Sequence, residues 1–224
     1  MAQIRKDQLV NDHSYHIFTR SISKFVIFNN GKEYQRMLKL IDLYRYQNFT
    51  YRFSNFHRMS ELSQKHVLEK IRKDNNVLVE IIAYCLMPTH IHLILKQKTK
   101  NGISKFISRV LNGYSRYFNT IHQRTGPLWS GRFKSVLIEN DEQLLHLTRY
   151  LHLNPTSAGL IKNINKWNYS SYFEYIKPVK NKLCNYRWAI GLKSKEYQKF
   201  VEDRKDLQKQ ISLMKHLIIE EYVG

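Results

Sequence analysis

Three segments of the chain have the hydrophobic pattern of strands. Residues 15–20 alternate weakly, whereas residues 77–86 and 90–96 are two longer apolar runs separated by Met87-Pro88-Thr89. A short break of this kind is typical of neighbouring strands joined by a tight turn. The pattern therefore predicts a first strand near the N-terminus and a pair of strands at the centre of a sheet.

Helical spacing of apolar residues alternates with these strands along the chain. It predicts helices at residues 32–46, 61–73, 103–118 and 141–153, and a fourth strand at 133–138. We place the end of the last of these helices at Asn154-Pro155, because the residue before a proline disfavours helical backbone angles. Residues 47–60 show no clear period and are interpreted as an insertion, whereas 194–223 predict one or two solvent-facing helices.

Two histidines stand at the start of the second long apolar run, as His90-Ile91-His92. Side chains at alternate positions of a strand point to the same side of a sheet, so both imidazoles would lie together while Ile91 points into the core. Two imidazoles fixed on one face can bind a divalent cation. From the spacing alone, a polar strand face with two unrelated histidines explains the sequence equally well.

The charge of the chain limits its partners. The 224 residues include 37 Lys and Arg against 18 Asp and Glu, a formal net charge of +19, and 13% are aromatic. The excess of positive charge favours a polyanionic partner, and the aromatic residues supply rings on which unpaired nucleic-acid bases stack. No segment has the roughly 18 to 20 apolar residues of a membrane span, and no apolar signal segment follows the N-terminus. We therefore expect a nucleic-acid-binding protein of the cytoplasm, with Cys85 and Cys184 as unpaired thiols.

A tyrosine and an amide share one face of the helix before Pro155. Tyr150 and Asn154 are four residues apart, which is the spacing of neighbours on a helical surface. A phenol with a pKa of about 10 is a poor nucleophile unless its deprotonation is assisted or its target phosphate is polarised. A cation on His90 and His92 would supply that polarisation.

Three motifs in order make the chain recognisable. They are Met-Pro-Thr-His-Ile-His-Leu at 87–93, Gly-Pro-Leu-Trp-Ser-Gly-Arg-Phe-Lys-Ser at 126–135 and Tyr-Leu-His-Leu-Asn-Pro-Thr-Ser-Ala-Gly-Leu at 150–160. Together they resemble the single-tyrosine HUH transposases, specifically the REP-associated tyrosine transposase branch. The resemblance covers residues 13–178, apart from 47–60, and leaves the C-terminal tail outside it.

This resemblance implies a reaction and a set of site residues. In such enzymes two histidines and a polar residue one turn after the tyrosine hold Mg²⁺ or Mn²⁺, and the tyrosine attacks a DNA phosphate. By resemblance, His90, His92 and Asn154 are the metal ligands and Tyr150 is the catalytic nucleophile that forms a 5′-phosphotyrosine. The protein would be a single-stranded DNA endonuclease and strand transferase acting on hairpin or REP-like DNA. It would work as a monomer at the nucleoid, with no small-molecule cofactor and no membrane partner.

Cationic and aromatic side chains near the motifs are candidates for DNA contact. They are Arg20, Arg116, Arg124, Trp129, Arg132, Lys134 and Arg149. A solvated charge explains each single cation better, apart from Arg132. For Trp129 and Arg132, DNA contact and an ordinary structural role beside the Gly-Pro turn explain the sequence equally well. Tyr114 and Tyr117 are rival nucleophiles and His152 is a rival ligand, although packing explains these three better.

Two other functions stay open. A domesticated relative would bind repeat hairpins without cutting them, but binding alone needs none of His90, His92, Tyr150 and Asn154. An RNA-binding module on a similar sheet would carry stacking aromatics on its central strands, whereas residues 77–86 contain one aromatic, Tyr84.

The fold that we predict is α+β. It is a ferredoxin-like HUH endonuclease domain with a small, mainly antiparallel sheet, helices on one face, and the tyrosine helix crossing near the histidine strand. We assign residues 1–178 to this domain and residues 179–224 to a basic, helical C-terminal extension.

Overall fold

The computed structural model describes residues 8–180, 182–186 and 190–203. The strands in these ranges are β1 (Ser14–Arg20), β2 (Val79–Met87), β3 (His90–Gln97) and β4 (Lys134–Leu137). The helices are α1 (Gly31–Tyr44), α2 (Phe53–Arg58), α3 (Glu61–Asp74), α4 (Gly102–Ile121), α5 (Asp141–Ser157), α6 (Tyr172–Ile176) and α7 (Ser194–Glu202). Short 3₁₀ segments lie at Ile22–Lys24 and Ile164–Lys166.

The described strands form one antiparallel sheet in the order β2-β3-β1-β4. Strand β3 lies inside the sheet, where His92 is opposite Cys85 on β2 and Phe18 on β1. Cys85 and Cys184 are buried, unpaired thiols, as expected. The predicted α+β class and the antiparallel sheet are confirmed.

Helix α4 packs on β2 and β3 at one face of this sheet, and α1 packs against α4. On β3, Ile91, Leu93 and Leu95 are buried, and Gln97, which points the same way, accepts a hydrogen bond from the backbone N–H of Ile103 in α4. Since side chains alternate along a strand, His90 and His92 point to the side of the sheet opposite α4. The apolar side of β3 thus contributes to the core. The histidines lie on the other side of the strand and take no part in this packing.

Helix α5 passes through Pro155 and ends at Ser157, so the predicted end at Asn154-Pro155 is wrong. A proline lacks the N–H that would bond one turn back, but it does not prevent the chain from completing a last turn. The N–H of Ala158 donates to the Asn154 carbonyl at 2.9 Å, and the N–H of Leu160 donates to the Pro155 carbonyl at 3.0 Å. Asn154 therefore keeps helical geometry one turn after Tyr150.

The segments without a clear pattern contain helices that pack on the rest of the molecule. Residues 53–58 form α2, with Phe53 and Phe56 buried. Helix α7 buries Tyr197 and Val201, so the expectation of a solvent-facing helix is wrong for its described part, and residues 204–223 lie outside the described ranges. The proposed domain boundary at residue 178 stays a prediction. Within the described ranges, no helix is both long and apolar enough to cross a lipid bilayer.

Candidate active site

The two histidines of β3 lie side by side on the sheet face opposite α4. His90 lies opposite Arg20 on β1, and His92 lies opposite Phe18. The centroids of the two imidazole rings are 5.0 Å apart, with the ring planes at 84°, and both residues are half-buried. The strand therefore holds two imidazoles together on one rigid face.

Each of these imidazoles uses its Nδ1 atom for a protein partner. Thr89 Oγ1 is hydrogen-bonded to His90 Nδ1 at 2.9 Å, and His16 Nε2 is hydrogen-bonded to His92 Nδ1 at 3.0 Å. Neither Nε2 atom has a hydrogen-bond partner in the part of the chain that the structure describes. These two Nε2 atoms are the ones available to an external ligand.

Burial keeps both histidines neutral. It lowers the pKa of His90 to about 4, with a further contribution from the charge of Arg20. Burial also lowers the pKa of His92 well below its ordinary value, assisted by His90 and His16. A neutral imidazole has the lone pair that a metal requires, so both rings are ready to bind a cation at pH 7.

His16 is a member of this cluster that the sequence analysis missed. Its ring is buried and lies 5.2 Å from that of His92, nearly parallel to it. The alternation of residues 15–20 places His16 and Phe18 on one side of β1. Their proximity to His92 depends on the pairing of β1 with β3, a register between segments far apart in the chain, which local patterns do not contain.

Tyr150 of α5 reaches the histidine pair. Its ring meets that of His92 edge-on, with the centroids 6.3 Å apart and the planes at 90°. The start of α5 is fixed by Asn140, whose side chain accepts a hydrogen bond from the Gln143 N–H at 2.9 Å. Helix α5 packs on β2, so the tyrosine is carried by a rigid element rather than by a loop.

The side chain of Asn154 has a buried polar atom without a partner in the described part of the chain, which is relevant to metal binding. The residue is 7% exposed, and its Nδ2 atom has no hydrogen-bond partner among the described residues. An unpaired buried polar atom costs about 1–3 kcal/mol. Rotating the amide by half a turn exchanges Nδ2 for Oδ1 and offers an oxygen ligand at the same place.

These groups fit a divalent ion. No cluster of three His, Cys, Asp or Glu side chains suited to a metal occurs in the described ranges, so a metal here would rely on His90, His92 and the amide of Asn154. Two neutral imidazoles and one amide oxygen leave coordination positions for phosphate oxygens.

His152 is the centre of a buried network and is not placed to bind a metal. Its Nδ1 is hydrogen-bonded to the Tyr197 hydroxyl at 2.8 Å, and its Nε2 to the Ser171 hydroxyl at 2.7 Å. Tyr197 in turn donates to Thr148 Oγ1 at 2.9 Å. Burial lowers the pKa of His152 to about 3. The network fastens α7 to the tyrosine helix through a neutral histidine.

Replacing His152 with Gln should weaken the acid sensitivity of the fold. The pKa of this ring is about 3 in the folded protein, against about 6.5 for an unperturbed histidine. Below about pH 6.5 the unfolded chain binds more protons than the folded one, so His152 removes up to about 1.4 kcal/mol of stability per pH unit, and this loss continues down to about pH 3.

Urea unfolding at pH 7, 6 and 5 measures this effect. Between pH 6 and pH 5, the wild type should lose about 1 kcal/mol more stability than His152→Gln. Equal losses would mean that His152 is not held neutral by the fold.

Two of the cations expected to contact DNA lie on the histidine side of the sheet. Arg20 is opposite His90 on β1, and Lys134 is paired in register with Phe18, so both point to the histidine side of the sheet. Arg132 is exposed in the loop immediately before β4. A polyanion approaching the histidines would meet Arg20 and Lys134.

Three other residues expected to contact DNA, two cations and a tryptophan, lie elsewhere. Arg116 is exposed on α4, away from the histidine face. The guanidinium of Arg124 lies 4.8 Å from the centroid of the Phe25 ring. Trp129 is half-buried, and its Nε1–H donates to Ser115 Oγ at 3.0 Å, which fixes the indole on α4.

Arg149 is buried rather than directed towards DNA. It is 2% exposed, and its guanidinium lies 4.7 Å above the ring of Phe200 in α7. The structure therefore does not place this cation where DNA would meet it. The face of α5 that carries Arg149 packs on a helix that the sequence analysis expected to be solvent-facing.

The site lies in a region that matches known transposases. Residues 44–154 match the family described as IS200-like transposases. A candidate REP-associated tyrosine transposase of Haemophilus influenzae is 29% identical over 108 residues, which cover 44% of this chain and 61% of that protein. A REP-associated tyrosine transposase of Escherichia coli is 25% identical over 108 residues, which cover 48% of this chain and 62% of that protein. The chain thus spans about three fifths of the length of these curated relatives.

A solved structure of a REP-associated tyrosine transposase bound to a REP hairpin has the same fold. It superposes with a TM-score of 0.54 and 16% sequence identity, covering 83% of this chain and 95% of that one. The resemblance to the REP-associated tyrosine transposases that the three motifs indicate is confirmed.

Proposed function

We propose, from the match of residues 44–154 to the IS200-like transposases, that the chain is a metal-dependent single-stranded DNA endonuclease and strand transferase. The observation that carries the proposal is the edge-on contact of the Tyr150 ring with His92, at 6.3 Å between centroids. It joins a nucleophile on a rigid helix to a neutral imidazole pair on a rigid strand.

We propose that His90, His92 and Asn154 hold Mg²⁺ or Mn²⁺. When bound, such an ion polarises the scissile phosphate and stabilises the negative charge that develops on its oxygens. His16 supports the site without touching the ion, because its hydrogen bond to Nδ1 fixes the orientation of the His92 ring and leaves Nε2 available to the metal.

Tyr150 would be the nucleophile. Its hydroxyl oxygen bonds to phosphorus while the bond from phosphorus to the 3′-oxygen breaks, and the tyrosine proton ends on the leaving 3′-oxygen. The products are a 5′-phosphotyrosine and a free 3′-OH. Because one phosphodiester is exchanged for another, a second 3′-OH can attack the phosphotyrosine and join two strands without ATP.

The DNA partner would be a single strand that folds into a hairpin. The net charge of +19 favours a polyanion, and Arg20 and Lys134 lie on the histidine side of the sheet. The similar solved structure is bound to a REP hairpin, which supports this class of substrate. We propose that the protein acts as a monomer at the nucleoid in the cytoplasm.

Cleavage of hairpin DNA labelled at either end tests the proposed function. With Mn²⁺ or Mg²⁺, the 3′-labelled fragment should migrate with the protein on a denaturing gel, whereas the 5′-labelled fragment should be released with a free 3′-OH. EDTA should abolish both products, and a fully paired duplex of the same sequence should not be cut. A stable native complex with no cleavage of several hairpins would instead support a protein that only binds them.

A further inference from the structure

A basic groove lies on the α1–α4 side of the molecule. It has a volume of about 390 Å³ and is lined by α1, α4 and the segment that contains α2. Arg36, Arg52, Arg58 and Arg116 lie in its walls, and no acidic side chain does. We call this feature the arginine groove. It is on the face of the sheet opposite the histidines, so it is separate from the candidate active site.

The charge of the arginine groove is not balanced by the protein. None of its four arginines has a carboxylate within ion-pair distance among the described residues. Arg45 and Arg72 show the usual arrangement instead, since both approach Asp42, at 3.2 Å and 3.7 Å. Gathering unpaired like charges in one concave site is unfavourable and concentrates positive potential there, which attracts anions.

One of the four arginines is held in place by aromatic rings. The guanidinium of Arg36 lies 4.3 Å from the ring centroids of both Phe53 and Tyr117. The segment that contains Phe53 is fixed in turn by a hydrogen bond of 3.2 Å from its backbone N–H to the Tyr44 hydroxyl. A guanidinium ordered in this way loses little entropy when it binds a ligand.

We propose that the arginine groove is a second DNA-binding site that takes the phosphodiester backbone of DNA outside the cleavage site. The guanidinium fork matches two phosphate oxygens at once, and four such groups along one open groove suit a chain of phosphates. The identity of the polyanion as DNA rests on the proposed function. Residues 47–60, which have no assigned role, would then supply Arg52 and Arg58 to this site.

A paired substitution tests the groove. Arg58→Ala/Arg116→Ala removes one exposed arginine from each of two helices, and Lys70→Ala/Lys73→Ala removes the same charge from exposed positions of α3. Alanine is favourable in helices, so both pairs should fold. Anisotropy of labelled hairpin DNA with a single-stranded flank, recorded in EDTA, should show Kd raised about tenfold or more by the arginine pair and less than about threefold by the lysine pair.

Salt dependence and competition sharpen this test. The slope of log K against log salt concentration should decrease by about one to two for the arginine pair. Equal effects of the two pairs, or no effect of the arginine pair, would overturn the groove as a DNA site. Competition by poly-glutamate as strong as by DNA of equal charge would also overturn it, because the groove would then select anions in general.

Failure of the groove proposal can be distinguished from failure of the proposed function. The arginine pair should still form the covalent adduct when DNA is saturating, since neither residue lies near Tyr150. If the wild type binds through the groove but never cleaves, the proposed function fails while the binding site stands. If the wild type cleaves and the arginine pair binds DNA normally, the groove proposal alone fails.

Discussion

Tyr150→Phe should abolish the covalent protein–DNA adduct and slow strand cleavage by at least about a thousandfold, while DNA binding is unchanged. Phenylalanine keeps the ring and therefore its edge-on contact with His92, and it removes only the oxygen that would bond to phosphorus. The adduct is measured with 3′-labelled hairpin DNA on a denaturing gel, and binding by anisotropy in EDTA.

Tyr117→Phe tests the rival nucleophile on α4. Tyr117 is half-buried, as Tyr150 is, and it lines the arginine groove, so the comparison is made at saturating DNA, where weaker binding does not limit the reaction. Tyr114, the other rival, is buried and donates its hydroxyl to the Ile27 carbonyl, so it has no access to DNA. At saturating DNA, Tyr117→Phe should still form the covalent adduct, because the rival phenol takes no part in the reaction. An adduct that survives in Tyr150→Phe would show that the nucleophile is another residue.

His90→Ala and His92→Ala should each lower the affinity for Mn²⁺ by about a hundredfold and reduce cleavage to a similar degree or more. Each change removes one of two neutral nitrogen donors, and a single imidazole with an amide binds a divalent ion weakly. Titration calorimetry with Mn²⁺ on the full chain measures the affinity without reference to activity. Asn154→Ala should give a smaller loss, because the site keeps its imidazole pair.

His66→Ala is the matched control for the histidine pair. His66 is exposed on α3, outside the site, so its loss should leave both Mn²⁺ affinity and cleavage unchanged. Wild-type Mn²⁺ affinity in His92→Ala would show that the ion binds elsewhere and would remove the histidine pair from the metal site.

The parts of the site that the sequence predicts depend on local periodicity. Strand alternation places His90 and His92 on one side of β3, and helical spacing places Tyr150 and Asn154 on one face of α5. Both features are encoded within a few residues and need no knowledge of the rest of the fold. The resemblance to a family supplied the chemical roles, which periodicity does not contain.

The parts that the sequence analysis missed depend on contacts between distant segments. His16 joins the cluster only because β1 pairs with β3 in one particular register. Arg149 is buried only because α7 packs on α5, and the apolar residues of α7 are spread among charges that suggested an exposed helix. The predicted end of α5 is wrong for a different reason. A proline is a common sign of a helix end, but it does not prevent the helix from continuing for a last turn.

The arginine groove also depends on contacts between distant segments, which local sequence patterns do not contain. Residues 47–60 have no period because α2 is only six residues long and turns its two phenylalanines inward. The basic residues of this segment form a groove only together with α1 and α4, which supply the opposite walls. A count of charges predicts a polyanionic partner but not where on the surface it binds.

Mass spectrometry of the trapped adduct tests the central claim most directly. Trypsin separates the rival tyrosines, because Tyr150 lies in residues 150–162, or 135–162 if Arg149 is not cleaved, Tyr114 in 110–116 and Tyr117 in 117–124. After nuclease digestion of the DNA, we expect a nucleotide joined through a 5′-phosphate on the peptide that contains Tyr150. The same mass shift on another peptide, or an adduct joined through a 3′-phosphate, would contradict the account.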